Sequence, residues 1–96
     1  MRKYEVIFIL RPTVSEEEYK TVCEKFLNVL TSNGANKIDE KDMGQKELAY
    51  EINNFKSGFY HYFVVEANND AAINEFDRQA KNSSDIVRHM ITKIED

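Results

Sequence analysis

Residues Lys3 to Leu10 alternate, with Tyr4, Val6, Phe8 and Leu10 on one side and Lys3, Glu5, Ile7 and Ile9 on the other. This is the two-residue period of a strand buried most deeply on one face. Arg11-Pro12 ends it, because proline brings no amide proton to a ladder. Ser15 followed by Glu18 is a capping box, in which the hydroxyl accepts from an orphan backbone N–H and the carboxylate reaches back to the cap, so a helix is predicted from there. Tyr19, Val22, Cys23, Phe26, Leu27 and Leu30 then recur at three- and four-residue spacing, while Glu16, Glu17, Lys20, Glu24 and Lys25 face water. Ser32-Asn33-Gly34 closes the helix, with Gly34 free to turn left-handed.

From Ala35 to Ile52 the pattern is more polar, with Ile38, Met43, Leu48, Ala49, Tyr50 and Ile52 among charges, as in a long, twisted edge strand broken near Gly44. Asn53 to Gly58 reads as a turn, and Phe59 to Glu66 as a third strand with faces Phe59, His61, Phe63, Val65 and Tyr60, Tyr62, Val64, Glu66. Asn68, Asn69 and Asp70 offer a second helix start, Ile73, Phe76 and Ala80 its apolar stripe, and Asn82-Ser83-Ser84 its end. Ile86 to Ile94 is the last strand. The order strand, helix, strand, strand, helix, strand predicts an α+β, ferredoxin-like split βαβ fold: a four-stranded antiparallel sheet with both helices on one face and the other face open.

Composition narrows the function. A chain of 96 residues with 42% hydrophobic side chains is expected to form one domain over 1–96. It hides only about 60–65% of its unfolded surface, enough for one two-layer core and not for a deep cavity around a large cofactor. No apolar run approaches a bilayer-crossing length; a cytoplasmic location with no membrane partner is expected. Cys23 is the only cysteine, which excludes an internal disulfide and reads as a packing residue. The formal charge of -4 cuts against nucleic-acid binding over the whole surface, since phosphate binders are usually basic. Any such binding requires a local patch or a basic partner.

His61 and His89 sit on different strands without a second ligand at metal spacing, and read as polar residues near a sheet margin; no metal or cofactor is expected. Arg11 after the first strand is the residue with which a ferredoxin-like acylphosphatase or small-ligand domain would hold an anion, yet Pro12 to Val14 lacks the glycines that turn several amides toward a phosphate. Tyr60 and Tyr62 project toward the open face, as in sheets that stack unpaired bases, although such tyrosines also cover a sheet or anchor a protein. Arg2 and Lys3 open the first strand, Lys46 lies on the second, Lys56 in the turn and Arg88 on the fourth. Because the first and fourth strands are neighbours in this topology, Arg2 and Arg88 are expected to converge on phosphate oxygens. Ordinary solvated surface explains these cations equally well on chemistry alone, and an edge-strand homodimer is a further alternative.

Arg2-Lys3-Tyr4-Glu5, Pro12, Gly44 through Leu48-Ala49-Tyr50 and Ile52, Gly58, Tyr60, Val65-Glu66 and Arg88 through Met90 follow one another as in the bacterial small-subunit ribosomal protein six family, which the chain resembles over nearly its whole length. The resemblance implies a ferredoxin-like, non-catalytic constituent of the 30S subunit that binds 16S ribosomal RNA in its central domain beside small-subunit ribosomal protein eighteen, without a small-molecule substrate. It places RNA-contacting cations on Arg2 and Arg88, with Lys3 beside them. A third usually basic position is Asn54 here, with Lys56 as the substitute. Lys46, Asn54, Tyr60 and Tyr62 are then expected to meet RNA or protein. The family's proline after Leu-Ala-Tyr is Glu51 and its paired basic residues are Lys46-Glu47, which makes the second strand more acidic and favours it as a docking edge for a basic protein.

Overall fold

The computed structural model describes residues 2–52 and 54–94. Its elements run β1 (Arg2–Leu10), α1 (Glu16–Ser32), β2 (Asn36–Ile52), β3 (Phe55–Ala67), α2 (Ala71–Asn82) and β4 (Ile86–Ile94). The four long strands pair antiparallel in the order β2-β3-β1-β4, which puts β1 and β3 inside and β2 on an edge, as the ferredoxin-like reading requires. Tyr4, Val6, Phe8 and Leu10 of β1 are buried beneath the helices with Phe63 and Val65 of β3. Val22, Cys23, Phe26 and Leu30 of α1 and Ala72, Ile73, Phe76 and Ala80 of α2 close the core from the other side. Phe8 lies at its centre, with ring centroids of Phe26, His61, Phe63 and Phe76 at 5.9, 5.5, 5.6 and 5.9 Å.

Both helix starts fall where the sequence puts them, by different chemistry. Ser15 Oγ accepts from Glu18 N at 3.1 Å and Glu18 Oε1 accepts from Ser15 N at 3.3 Å, a complete capping box. Asp70 occupies the cap of α2 but makes no side-chain capping bond, since its carboxylate is taken by β1 residues; Asn69 Oδ1 accepts from Ala71 N instead.

The second hairpin departs from expectation. β3 begins at Phe55, so Lys56 and Gly58 are strand residues and not turn residues. Asn53 of the predicted turn lies outside the described residues, and Asn54 takes the left-handed conformation at φ 69°. Gly58 is needed for a different reason than turning: a Cβ there would stand 2.5 Å from Ile9 Cγ2 and 2.8 Å from the Leu10 carbonyl oxygen. β2 carries register shifts between Lys37 and Asp39 and between Asp42 and Gly44, which leave Ile38 and Met43 out of the pairing and exposed. Gly44 has φ 76°, in keeping with the predicted break.

His61 is not at a sheet margin. It lies on the inner strand β3 and is only 4% exposed, tolerated because both ring nitrogens have partners. Nδ1 meets the Tyr19 hydroxyl and Nε2 meets Glu40, each at 2.7 Å, while the same hydroxyl donates to Asp42 Oδ1 at 3.0 Å. This chain ties α1 to the edge strand across β3. Replacing Gly58 by Ala is expected to destabilise the fold by about 1–3 kcal/mol, because the methyl meets backbone that cannot rotate away. A urea midpoint unchanged from the parent protein would contradict that close approach.

Candidate nucleic-acid interface

Directly paired residues of antiparallel strands project to the same side, so the register lays out the helix-free face in rows. One row crosses the sheet as Arg88, Ile9, Tyr60 and Gly44, and the next as Met90, Ile7, Tyr62 and Lys41. The third is Thr92, Glu5, Val64 and Asp39, and the fourth Ile94, Lys3, Glu66 and Asn36. Lys46 pairs with Gly58 beyond the first row, and alternation along β3 puts Lys56 on the same side. One end of the open face is therefore cationic, through Arg88, Lys41, Lys46 and Lys56, and the other end carries Glu5, Asp39 and Glu66 beside Lys3.

Among the described residues the cations at the basic end have no anionic partner. Among the described residues the side chains of Arg88, Lys41 and Lys56 make no hydrogen bond or ion pair, and Lys46 lies over the Tyr60 ring with Nζ 5.8 Å from its centroid. On the helix side most of the cations are occupied. Arg2 donates to Asp70 Oδ1 at 2.9 Å, and Arg11 to Asp85, Thr13 and Glu18 at 2.8–3.0 Å. Lys37, Arg78 and Lys81 pair with Glu40, Glu75 and Asp77.

The expected convergence of Arg2 and Arg88 does not occur. Arg2 pairs with Ala67 and reaches the start of α2 on the helix side, whereas Arg88 pairs with Ile9 and projects from the open face. The two positions are also seven residues apart along β1, about 23 Å at the rise of a strand. Adjacency of strands says nothing about which ends meet, and a register shift in β4 that leaves Val87 unpaired sets Arg88 and Ile86 on opposite faces. Tyr60 and Tyr62 lie on the open face as read from the sequence, but only Tyr62 is tethered, donating to Glu5 Oε1 at 3.0 Å. Lys41 is the cation that the sequence reading missed, because the bulges of β2 hide which of its residues share a face. Asn54 remains at the exposed tip of the β2–β3 hairpin.

A family model for ribosomal protein S6 matches residues 3–93. The chain belongs to the ribosomal protein S6 family. It is a ribosomal protein of the small subunit. The crystal structure of 30S ribosomal protein S6 from Thermotoga maritima is similar to it with a TM-score of 0.93 over 97% of this chain and 87% of that one, at 24% identity. A protein of Arabidopsis thaliana, 11% identical with a TM-score of 0.57 over 100% of this chain and 95% of that one, shares the fold alone.

For this S6-family chain the anion-holding alternative at Arg11 finds no geometric support. Its guanidinium is filled by Asp85, Glu18 and Thr13 and serves to fasten the end of β1 to the α1 cap and to the approach of β4. Cys23 is buried and its thiol is pushed up to about 12 by that burial, so it is a packing residue. Among the described residues no group of His, Cys, Asp and Glu is arranged to hold a metal, and no helix is long and apolar enough to cross a membrane. His89 Nε2 meets Asp77 Oδ1 at 2.7 Å, a structural contact between β4 and α2.

The Asp70 carboxyl is held below the usual carboxylate range by the Tyr4 hydroxyl, at 2.5 Å, and by Arg2. Glu18, Glu75 and Asp77 are lowered too, chiefly by bonds from Ser15 N, Arg78 and His89. A carboxyl with a depressed folded value contributes stability above its unfolded value and loses it as pH falls through the folded one. The Asp70→Asn variant is therefore expected to be less stable than the parent at neutral pH, with the difference closing as pH drops below the ordinary carboxylate range. Urea midpoints between pH 2 and 7 test this, and a gap that persists at the acid end would show that charge is not what Asp70 contributes.

Proposed function

We propose that the protein is a cytoplasmic, non-catalytic constituent of the 30S subunit that binds 16S ribosomal RNA in its central domain together with small-subunit ribosomal protein eighteen. The observation that carries this reading is the partition of cations. A chain of net charge -4 neutralises most of its helix-side Lys and Arg internally, yet leaves Arg88, Lys41, Lys46 and Lys56 without an anionic partner among the described residues, at one end of an open sheet. Unpaired guanidinium and ammonium groups gathered on one surface are what a phosphate backbone requires.

Arg2 and Lys3 belong to a second point of contact at the far end of β1, with Lys93 nearby on β4. A phosphate there would compete with Asp70 for Arg2, whose side chain is 47% exposed. The edge strand β2 supports the protein partner: Ile38, Met43 and Tyr50 are exposed among Asp39, Glu47 and Glu51, an apolar and acidic edge suited to a basic protein.

Two separate contacts should act additively. Arg88→Gln and Arg2→Gln are each expected to weaken binding to a central-domain 16S rRNA fragment and to lower the salt dependence of log K by about 0.9 per phosphate lost, and the double variant by about twice that. Filter binding across a salt series, with circular dichroism to verify folding, measures this. An Arg88→Gln protein with the parental slope would remove the open face from the RNA site.

A further inference from the structure

We propose that the basic end of the open face receives one unpaired RNA nucleotide, its base stacked on Tyr60 and its flanking phosphates met by Lys46 and Arg88; this rests on the RNA-binding reading above and specifies its ligand. The two open-face tyrosines are chemically alike in sequence and differ in place. Tyr62 is fastened through its hydroxyl to Glu5, and its row neighbour on the far side from Lys41 is apolar Ile7. An acidic row follows immediately, a poor setting for phosphate. Tyr60 has no partner for its hydroxyl among the described residues and sits in the one row that ends in Arg88.

Lys46 shows that a face of the Tyr60 ring is open to the outside. Its ammonium lies over that ring at 5.8 Å, on an exposed and rotatable stem, where no core side chain intervenes. A nucleotide carries both groups that would replace this arrangement: a base for the ring and a phosphate for the displaced ammonium. Arg88 stands two strand spacings from Tyr60, about 10 Å between backbones, a distance that a guanidinium on its extended stem covers toward the next phosphate. Ile9 between them is 6% exposed and supplies a firm apolar floor. The ligand is an unpaired nucleotide and not a duplex, because a ring set in a sheet meets a base only when the base is splayed from its stack.

The test uses the full chain and two RNA probes, a central-domain 16S rRNA fragment and a short oligouridylate, over a salt series. Tyr60→Leu keeps an apolar cover on the sheet and removes the stacking face; it is expected to weaken both probes about ten-fold with the salt slope unchanged. Tyr60→Phe is expected to bind as the parent does, and Tyr62→Phe likewise. Arg88→Gln instead lowers the slope. If Tyr60→Leu binds RNA normally while Arg88→Gln loses slope, the phosphate footprint stands and the stacking site is overturned. If the parent protein binds neither probe, alone or with small-subunit ribosomal protein eighteen added, the RNA reading itself fails. Should Tyr60→Leu impair only the capture of a basic partner protein, Tyr60 is a protein contact and the proposal is rejected. Were Tyr60→Leu misfolded, Tyr60→Trp supplies an independent readout in a chain that has no other tryptophan: quenching of indole emission by oligouridylate supports stacking, and unchanged emission at saturating RNA excludes it.

Discussion

Burial on one side of the sheet is the constraint from which the rest follows. Phe8 projects from the inner strand β1 into Phe26 of α1, Phe76 of α2 and Phe63 of β3, and all four rings are fully buried. Truncating such a residue typically costs about 3–5 kcal/mol, a large share of the total stability of a domain this size. Since two helices of 17 and 12 residues suffice to cover one face, the second face has no layer of its own. It is left with β-branched side chains, two tyrosines and a gradient of charge, and so it is available to a macromolecule.

The charge economy follows the same division. On the helix side, charges fasten elements to one another: Arg11 links the β1 end to the α1 cap and to Asp85, Arg2 and Tyr4 share Asp70, and His89 joins β4 to Asp77. A guanidinium already holding two carboxylates has little left for a ligand, which is why Arg11 is an architectural residue. The basic end of the open face holds Arg88, Lys41 and Lys56 in reserve. An overall acidic chain can therefore present a basic surface locally, and in the function proposed above a basic protein at the acidic edge β2 would improve the combined field toward RNA. The Tyr19–His61–Glu40 chain keeps that edge strand anchored to α1, although among the described residues β3 is its one sheet neighbour.

Much of the architecture was legible in the chain. The alternation of β1, the capping box at Ser15, the apolar stripe of α1, the left-handed Gly34 and the span of β4 depend on local periodicity and local hydrogen bonds, and local rules place them. The ferredoxin-like order follows from those elements because so few topologies accommodate it. That Tyr60 and Tyr62 share the open face also follows from alternation alone, within an uninterrupted stretch of β3.

The fold had to decide what periodicity cannot carry past a bulge or across strands. Ile38, Met43 and Val87 are unpaired residues that shift the two-residue count, so Lys41 joins the basic end unforeseen and Arg88 turns to the face opposite Ile86. Gly58 looked like a turn residue because a strand glycine demanded by a neighbouring backbone has no signature of its own in the chain. Arg2 and Arg88 sit on adjacent strands, and adjacency suggested a cluster; antiparallel register instead separates them by most of the length of β1 and by the thickness of the sheet. A sequence states which side chains a strand carries, but only the pairing of that strand with its neighbours states which of them meet.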